Sequence, residues 1–207
     1  MKKLLVLILT LAMILSVGYL TLASTIGIGA TEGFQAEVGT YAAPSDYDDN
    51  VYLTGYYGLN EKTLFSLEYA TDSKDMTLGA RYAFAKNMAV TLDYLIPDVE
   101  DADNVATIGF RYKSNISDTL ALVGVLEYTD YDPEAQIDLI GQVEYAFTDI
   151  VIGTLQFDHY EIDEVDGTDI TVGIEANLTE EFCVYLDYTI PDEGDDDLVY
   201  LGVCYAF

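Results

Sequence analysis

Apolar and polar residues alternate with period two along almost the whole chain from Gly33 to Phe207, and no stretch in that range carries a sustained helical period. The alternation breaks at clusters of Gly, Pro, Asn, Asp and Ser, which cut the chain into short extended runs. Twelve β-strands are predicted, at about 33–41, 51–58, 63–70, 76–84, 88–95, 105–113, 119–128, 136–147, 150–160, 169–177, 182–190 and 198–207. Gly and Tyr blur the pattern in the first two, so ten or fourteen strands also fit. The last run, LVYLGVCYAF, shows the period most clearly: Val199, Leu201, Val203, Tyr205 and Phe207 share one face, and Leu198, Tyr200, Gly202, Cys204 and Ala206 the other.

The connections alternate in kind. Those after odd strands are long and acidic: Ala42 to Asn50, Thr71 to Asp75, Pro97 to Asp103, Asp130 to Ala135, Glu161 to Thr168 and Pro191 to Asp197. Those after even strands are short: Leu59 to Lys62, Ala85 to Asn87, Ser114 to Asp118, Thr148 to Asp149 and Leu178 to Glu181. A strand of about ten residues is also the length that crosses a tilted path through a bilayer.

A closing strand with an apolar face at every second position out to a terminal Phe resembles that of bacterial outer-membrane β-barrel proteins, the porin-like and small-barrel family. The resemblance implies an all-β, transmembrane, antiparallel up-and-down barrel, with short periplasmic turns and long outer loops. It also implies that Tyr205 and Phe207 form the signal read by the barrel-assembly machinery. Aromatic residues at strand ends fit two interfacial belts: Tyr69, Tyr94, Tyr128, Tyr160 and Tyr188 at the loop ends, and Tyr82, Phe84, Tyr112, Tyr145, Phe147, Tyr205 and Phe207 at the turn ends. The competing architecture is a water-soluble β-sandwich, in which Tyr is frequent because it favours strands.

An internal repeat supports a quasi-symmetric sheet. Thr77 to Tyr94 aligns without gaps on Thr171 to Tyr188, and each copy runs on into Ile-Pro-Asp and an acidic stretch.

The amino terminus reads as a targeting segment. Lys2 and Lys3 precede an apolar run from Leu4 to Leu15, and Thr21, Leu22 and Ala23 offer a small-residue cleavage site. A signal peptide over residues 1–23 is expected, with cleavage as late as residue 30, leaving one barrel domain over 24–207; a membrane anchor is the alternative, since the apolar run extends to about Leu22. Gly27, Gly29 and Gly33 make no phosphate loop, because no strand precedes them in the mature chain and no Lys follows.

Net charge sharpens the picture. Eight bases against 37 acids give −29, and removal of Lys2 and Lys3 takes this to −31. Nucleic acid is thereby excluded as a partner, because phosphate binding needs clustered Lys and Arg. Hydrophobic content of 51% excludes a disordered acidic tail, so the two chemistries must be separated in space.

Taking the apolar alternation as the lipid side places Leu78, Ala80, Tyr82, Val90, Leu92, Ile108, Phe110, Leu139, Val143, Val172, Ile174, Val184 and Leu186 on the outer wall. The lumen then receives Glu37, Glu68, Asp93, Glu127, Asp138, Glu144, Asp158, Glu175 and Asp187, with Arg81, Arg111 and Lys113 as its bases. No charge falls on the lipid face, where a base near the midplane would cost about 2–4 kcal/mol. Arg81 lies on the strand between those of Glu68 and Asp93, and Arg111 between those of Asp93 and Glu127, so a salt-bridge ladder across the interior is expected. Such a ladder either fills a narrow barrel or lines a water-filled path that prefers cations.

The outer loops carry 21 of the 37 acids and one base, Lys74. Clusters such as Asp98, Glu100, Asp101 and Asp103, or Asp192, Glu193, Asp195, Asp196 and Asp197, are hard oxygen ligands, but neither has EF-hand spacing, so the expectation is diffuse cation binding or plain solvation rather than a defined metal site. A saline habitat explains the acidity equally well. His159, the single histidine, faces the outer boundary by parity; Ser45, Ser66 and Ser73 are badly placed as partners for acyl transfer, so a structural His is expected and no enzyme. If Leu186 pairs with Leu201, Cys183 lies opposite Cys204 in the lumen, which makes a cross-strand disulfide feasible in an oxidising periplasm; two free thiols are the alternative, and the spacing suits no zinc motif.

The reading is therefore an exported outer-membrane barrel acting as a small cation-preferring diffusion pore, without cofactor. Its expected partners are outer-membrane lipids and lipopolysaccharide, the assembly machinery, and small cations or solutes. The alternative is a non-conducting structural or surface-interaction barrel whose acidic loops bind divalent cations, lipopolysaccharide or a host surface.

Overall fold

The computed structural model describes residues 33–41, 51–99, 102–131, 135–162, 165–192 and 197–207. The predicted signal peptide and the first outer loop lie outside these residues. Twelve strands form: β1 (Gly33–Tyr41), β2 (Val51–Asn60), β3 (Thr63–Ala70), β4 (Met76–Ala85), β5 (Met88–Ile96), β6 (Val105–Asn115), β7 (Leu120–Asp130), β8 (Ala135–Ala146), β9 (Val151–Ile162), β10 (Val165–Asn177), β11 (Phe182–Ile190) and β12 (Leu198–Ala206). Each pairs antiparallel with its chain neighbours, and β1 pairs with β12 to close the barrel. Closure leaves no strand edge, and so no unpaired row of backbone groups, which is what a spanning sheet requires.

The short turns are set by local side-chain chemistry. Asn60 Oδ1 accepts hydrogen bonds from the backbone N–H groups of Lys62 and Thr63 at 2.9 and 3.0 Å. Ser117 Oγ does the same for Thr119 and Leu120, Thr148 Oγ1 for Ile150 and Val151, and Thr179 Oγ1 for Glu181 and Phe182. In each case the oxygen captures the N–H groups two and three residues on, mimicking a backbone turn. Four of the five short connections thus use one device.

On the long side, two loops share a different device. Asp75 Oδ1 accepts from Asp98 N–H at 3.0 Å, and Asp169 Oδ1 accepts from Asp192 N–H at 3.0 Å. Both pairs fall at the same places in the internal repeat, so the Ile-Pro-Asp connection is pinned identically in both copies. Lys74, with φ 60°, adds an ion pair to Asp98 at 3.4 Å; both side chains are more than half exposed, so it contributes at most about 1 kcal/mol.

One connection departs from expectation. Glu161 to Thr168 is paired strand for most of its length, because β9 continues to Ile162 and β10 starts at Val165, with Val165 opposite Ile162 and Asp169 opposite Asp158. The sequence there keeps a usable alternation through Glu161–Ile162 and Val165–Asp166–Gly167–Thr168, so the hairpin extends beyond the wall instead of opening into a loop.

The barrel is inside-out relative to a water-soluble protein. Leu92, Ile108 and Leu139 are 55–58% exposed on the outer wall, whereas the buried apolar residues in the lumen are small, including Ala83, Ala89, Ala121, Val123 and Val125. A continuous ring of large exposed apolar side chains is unstable in water and suited to hydrocarbon. Tyr94, Tyr128 and Tyr188 at the loop ends, and Tyr82, Phe84, Tyr112, Tyr145 and Tyr205 at the turn ends, are likewise exposed on this wall. Tyr160 is the exception: its register opposite Asp138 and Gly167 turns it into the lumen, where its ring tip occupies the space a side chain at Gly167 would need.

Candidate functional site in the barrel lumen

Alternation places every inward side chain of every strand on one surface, so the lumen is the natural site. Glu37, Glu68, Asp93, Glu127, Asp138, Glu144, Asp158, Glu175 and Asp187 all occupy its inward positions, as do Arg81, Arg111 and Lys113. Asp169, the first residue of the predicted tenth strand but not counted among the lumen acids, joins them and stands directly across from Asp158.

The ion pairs differ from a simple nearest-strand ladder. Arg111 Nη2 meets Glu127 Oε1 at 3.3 Å, on the adjacent strand. Lys113 Nζ meets Glu144 Oε2 at 2.6 Å, reaching past β7 to β8. This second pair is possible because β7 presents small or apolar inward residues, Ala121, Val123 and Val125, over which the lysine stem can lie. Arg81 sits opposite Leu64 and Thr91, while Glu68 and Asp93 project from positions nearer the outer loops, opposite Thr77 and Gly79.

A second feature was not legible at all. Tyr56 and Tyr185 both donate hydroxyl hydrogen bonds to Glu37, Tyr56 at 3.3 Å, and Tyr185 also lies 3.5 Å from the Tyr200 hydroxyl. The Tyr185 and Tyr200 rings stack at 5.6 Å, and Tyr52 lies 6.4 Å from Tyr200. Glycines make this possible, since the ring tips of Tyr200 and Tyr185 fill the space that side chains at Gly39 and Gly202 would take. The cluster spans β11, β12, β1 and β2, so it exists only once the barrel closes.

Beside it, β2 to β6 enclose a cavity of about 270 Å³ lined by Tyr56, Glu68, Arg81, Thr91, Asp93 and Arg111 among others. Asp93 and Asp187 sit in matched settings: the carboxylate of each occupies the space over a glycine on the preceding strand, Gly79 and Gly173.

Cys183 and Cys204 are opposite in register and joined by a disulfide, with Cα atoms 5.1 Å apart. His159 faces outward, with Nδ1 3.1 Å from the Thr168 hydroxyl. Ser66 faces the lumen beside Gly79, on the other side of the wall from His159, and the Ser73 hydroxyl accepts from Asp75 N–H at 3.5 Å. At the outer loops, Asp98 holds Lys74, Asp197 accepts from the Tyr188 hydroxyl, and Asp103 is exposed. Asp101, Asp195 and Asp196 lie outside the described residues. Among the described residues, no three acidic, His or Cys side chains gather as a metal-binding group. At the carboxyl end, Phe207 N–H donates to Phe34 O at 2.9 Å across the seam, and its ring packs on Tyr205 and Phe34 at 4.8 and 6.1 Å.

No family model and no curated protein matches the sequence. Solved structures match the fold. The KdgM porin superposes with a TM-score of 0.66 at 12% identity, over 84% of this chain and 99% of that one. The NanC porin gives 0.67 at 12% identity, over 84% and 100%. An outer membrane channel of Pseudomonas putida F1 gives 0.63 at 10% identity, over 90% and 100%. The likeness spans these proteins end to end at an identity that speaks for architecture alone. Together with the outward apolar wall and the closed twelve-strand topology, it shows the chain to be a barrel of the bacterial outer-membrane type, with the fold of the porins.

Proposed function

We propose that the chain resides in the bacterial outer membrane and acts as a small diffusion pore that prefers cations. The observation that carries this reading is the imbalance of the lumen: ten inward carboxylates, counting Asp169, against three inward bases among the described residues. Rings of carboxylates attract cations and repel anions at close quarters, and the acidic outer loops concentrate cations at the mouth. The fold supports it too, since the structural neighbours named above are porins and channels.

The path runs from the acidic mouth past Asp158 and Asp169, between Asp93 and Asp187, and on past Glu175, Arg81 and Arg111. Tyr205 and Phe207 serve as the assembly signal, and no catalytic role falls to any residue. A second reading has its own observation. The Tyr52, Tyr56, Tyr185, Tyr200 and Glu37 cluster fills part of the seam side, and a lumen sealed by it would leave the acidic loops to bind divalent cations or lipopolysaccharide.

Planar-bilayer recording of the refolded mature chain separates the two. Discrete, reproducible openings support the pore. A demonstrably folded barrel that never conducts supports the sealed barrel.

A further inference from the structure

We propose that Glu37, Tyr56 and Tyr185 form a clasp that draws the two ends of the chain together and closes the barrel. Such a clasp lies outside the pore reading and acts whether or not the lumen conducts. Every other pair in the sheet joins strands that are neighbours in the chain, so a turn or loop brings them together; β1 and β12 have no such connection. Their pairing therefore carries the largest loop-closure cost in the sheet, and contacts made across that seam have the most to offset.

Glu37 takes donors from both sides of the seam. Tyr56 on β2 donates its hydroxyl at 3.3 Å, and Tyr185 on β11 donates from the far side of β12. The Tyr185 ring lies as a strap over the last strand, its tip in the space above Gly202. Gly202 stands opposite both Tyr185 and Gly39, on the direct way from β11 to β1, and a side chain there would bar it. Glu37 is buried, and a buried carboxylate is stable only where donors replace the water it loses. Among the described residues the inward bases, Arg81, Arg111 and Lys113, all lie on β4 and β6, so hydroxyls and not cations serve it. One of the two hydroxyls arrives only with β11 and β12, so Glu37 gains its full set of donors as the last strand docks on the first.

The test follows the full mature chain as it refolds from urea into lipid vesicles, with one of two reporter pairs placed in a Cys183→Ser, Cys204→Ser background. Val38→Cys with Val203→Cys reports the seam, and Leu126→Cys with Leu139→Cys reports an ordinary pair, β7 with β8. All four positions are exposed on the outer wall, and copper phenanthroline pulsed at intervals reads how fast each pair forms. In Glu37→Ala the seam pair is expected to form about tenfold more slowly, while the pair between β7 and β8 keeps the parent rate. Tyr56→Phe with Tyr185→Phe, which keeps both rings and removes only the hydroxyls, should do the same and decides the matter if Glu37→Ala does not fold. A seam rate unchanged in either folded variant overturns the proposal, and so does a β7 to β8 pair slowed as much as the seam. A Phe double variant in which neither pair forms overturns it too, because a clasp confined to the seam leaves β7 and β8 free to pair.

Discussion

Asp93 on β5 and Asp187 on β11 stand on opposite walls of the barrel, six strands apart in either direction, each across from a glycine of the preceding strand. The match extends outward to the loops, where Asp75 and Asp169 hold the backbone of Asp98 and Asp192 in the same way. One hairpin solution is therefore used twice, and its repetition puts a carboxylate on each side of the path.

The barrel's glycines differ sharply in what they leave room for, according to the face they occupy. Gly202→Ala must displace the Tyr185 ring and with it the Glu37 cluster, at a cost of about 1–3 kcal/mol. Gly124→Ala and Gly141→Ala, which meet nothing within 4 Å, should stay within about 0.5 kcal/mol of the parent. Urea unfolding of the three variants in one lipid system checks the ranking.

The Cys183–Cys204 bond joins residues 21 apart in sequence, and in the chain-entropy picture a loop of that size stabilises by about 3 kcal/mol. Reduction, or the double change Cys183→Ser and Cys204→Ser, should lower the unfolding midpoint accordingly. Alkylation without reduction should add no mass. Uptake of two alkyl groups by the unreduced chain would show free thiols.

Burial separates the ion pairs. Removing Lys113 leaves Glu144, buried in the lumen, without its cation, and should cost about 3 kcal/mol. Lys74→Ala at the exposed pair with Asp98 should cost less than about 1 kcal/mol. Double-mutant cycles for both pairs measure the contrast directly.

Acid should invert the preference of the pore. Carboxylates as a class lose their charge in acid that leaves guanidinium and ammonium groups charged, so lowering the bath pH removes negative charge first from a carboxylate-lined path. The expected result is a reversal potential that moves toward anion selectivity as pH falls. A potential independent of pH would mean that carboxylates do not set it.

Much of the architecture was legible because a strand's period is local. The lipid face follows from alternation, and of the strand counts and registers that alternation and turn residues allow, twelve strands with Leu186 opposite Leu201 are the ones the barrel adopts. What escaped depends on closure. Tyr185 and Glu37 lie 148 residues apart and meet only because β12 joins β1, so no window of sequence contains the cluster. The reach of Lys113 to Glu144 depends on the small inward residues of the strand between them, whereas the inward face of Tyr160 was readable: it shares the parity of Asp158, and its belt position was read from its place at the strand end instead. The four turn oxygens, on Asn60, Ser117, Thr148 and Thr179, were readable signals, each an Asn, Ser or Thr within a short connection.

The central claim is that lumen carboxylates select the permeant ion, and the reversal potential of the refolded chain under a KCl gradient tests it most directly. The account predicts a potential displaced toward that of potassium, and a smaller displacement in the double variant Asp93→Asn, Asp187→Asn. A potential at zero or on the chloride side in the parent, or one unmoved by the double variant, would contradict it.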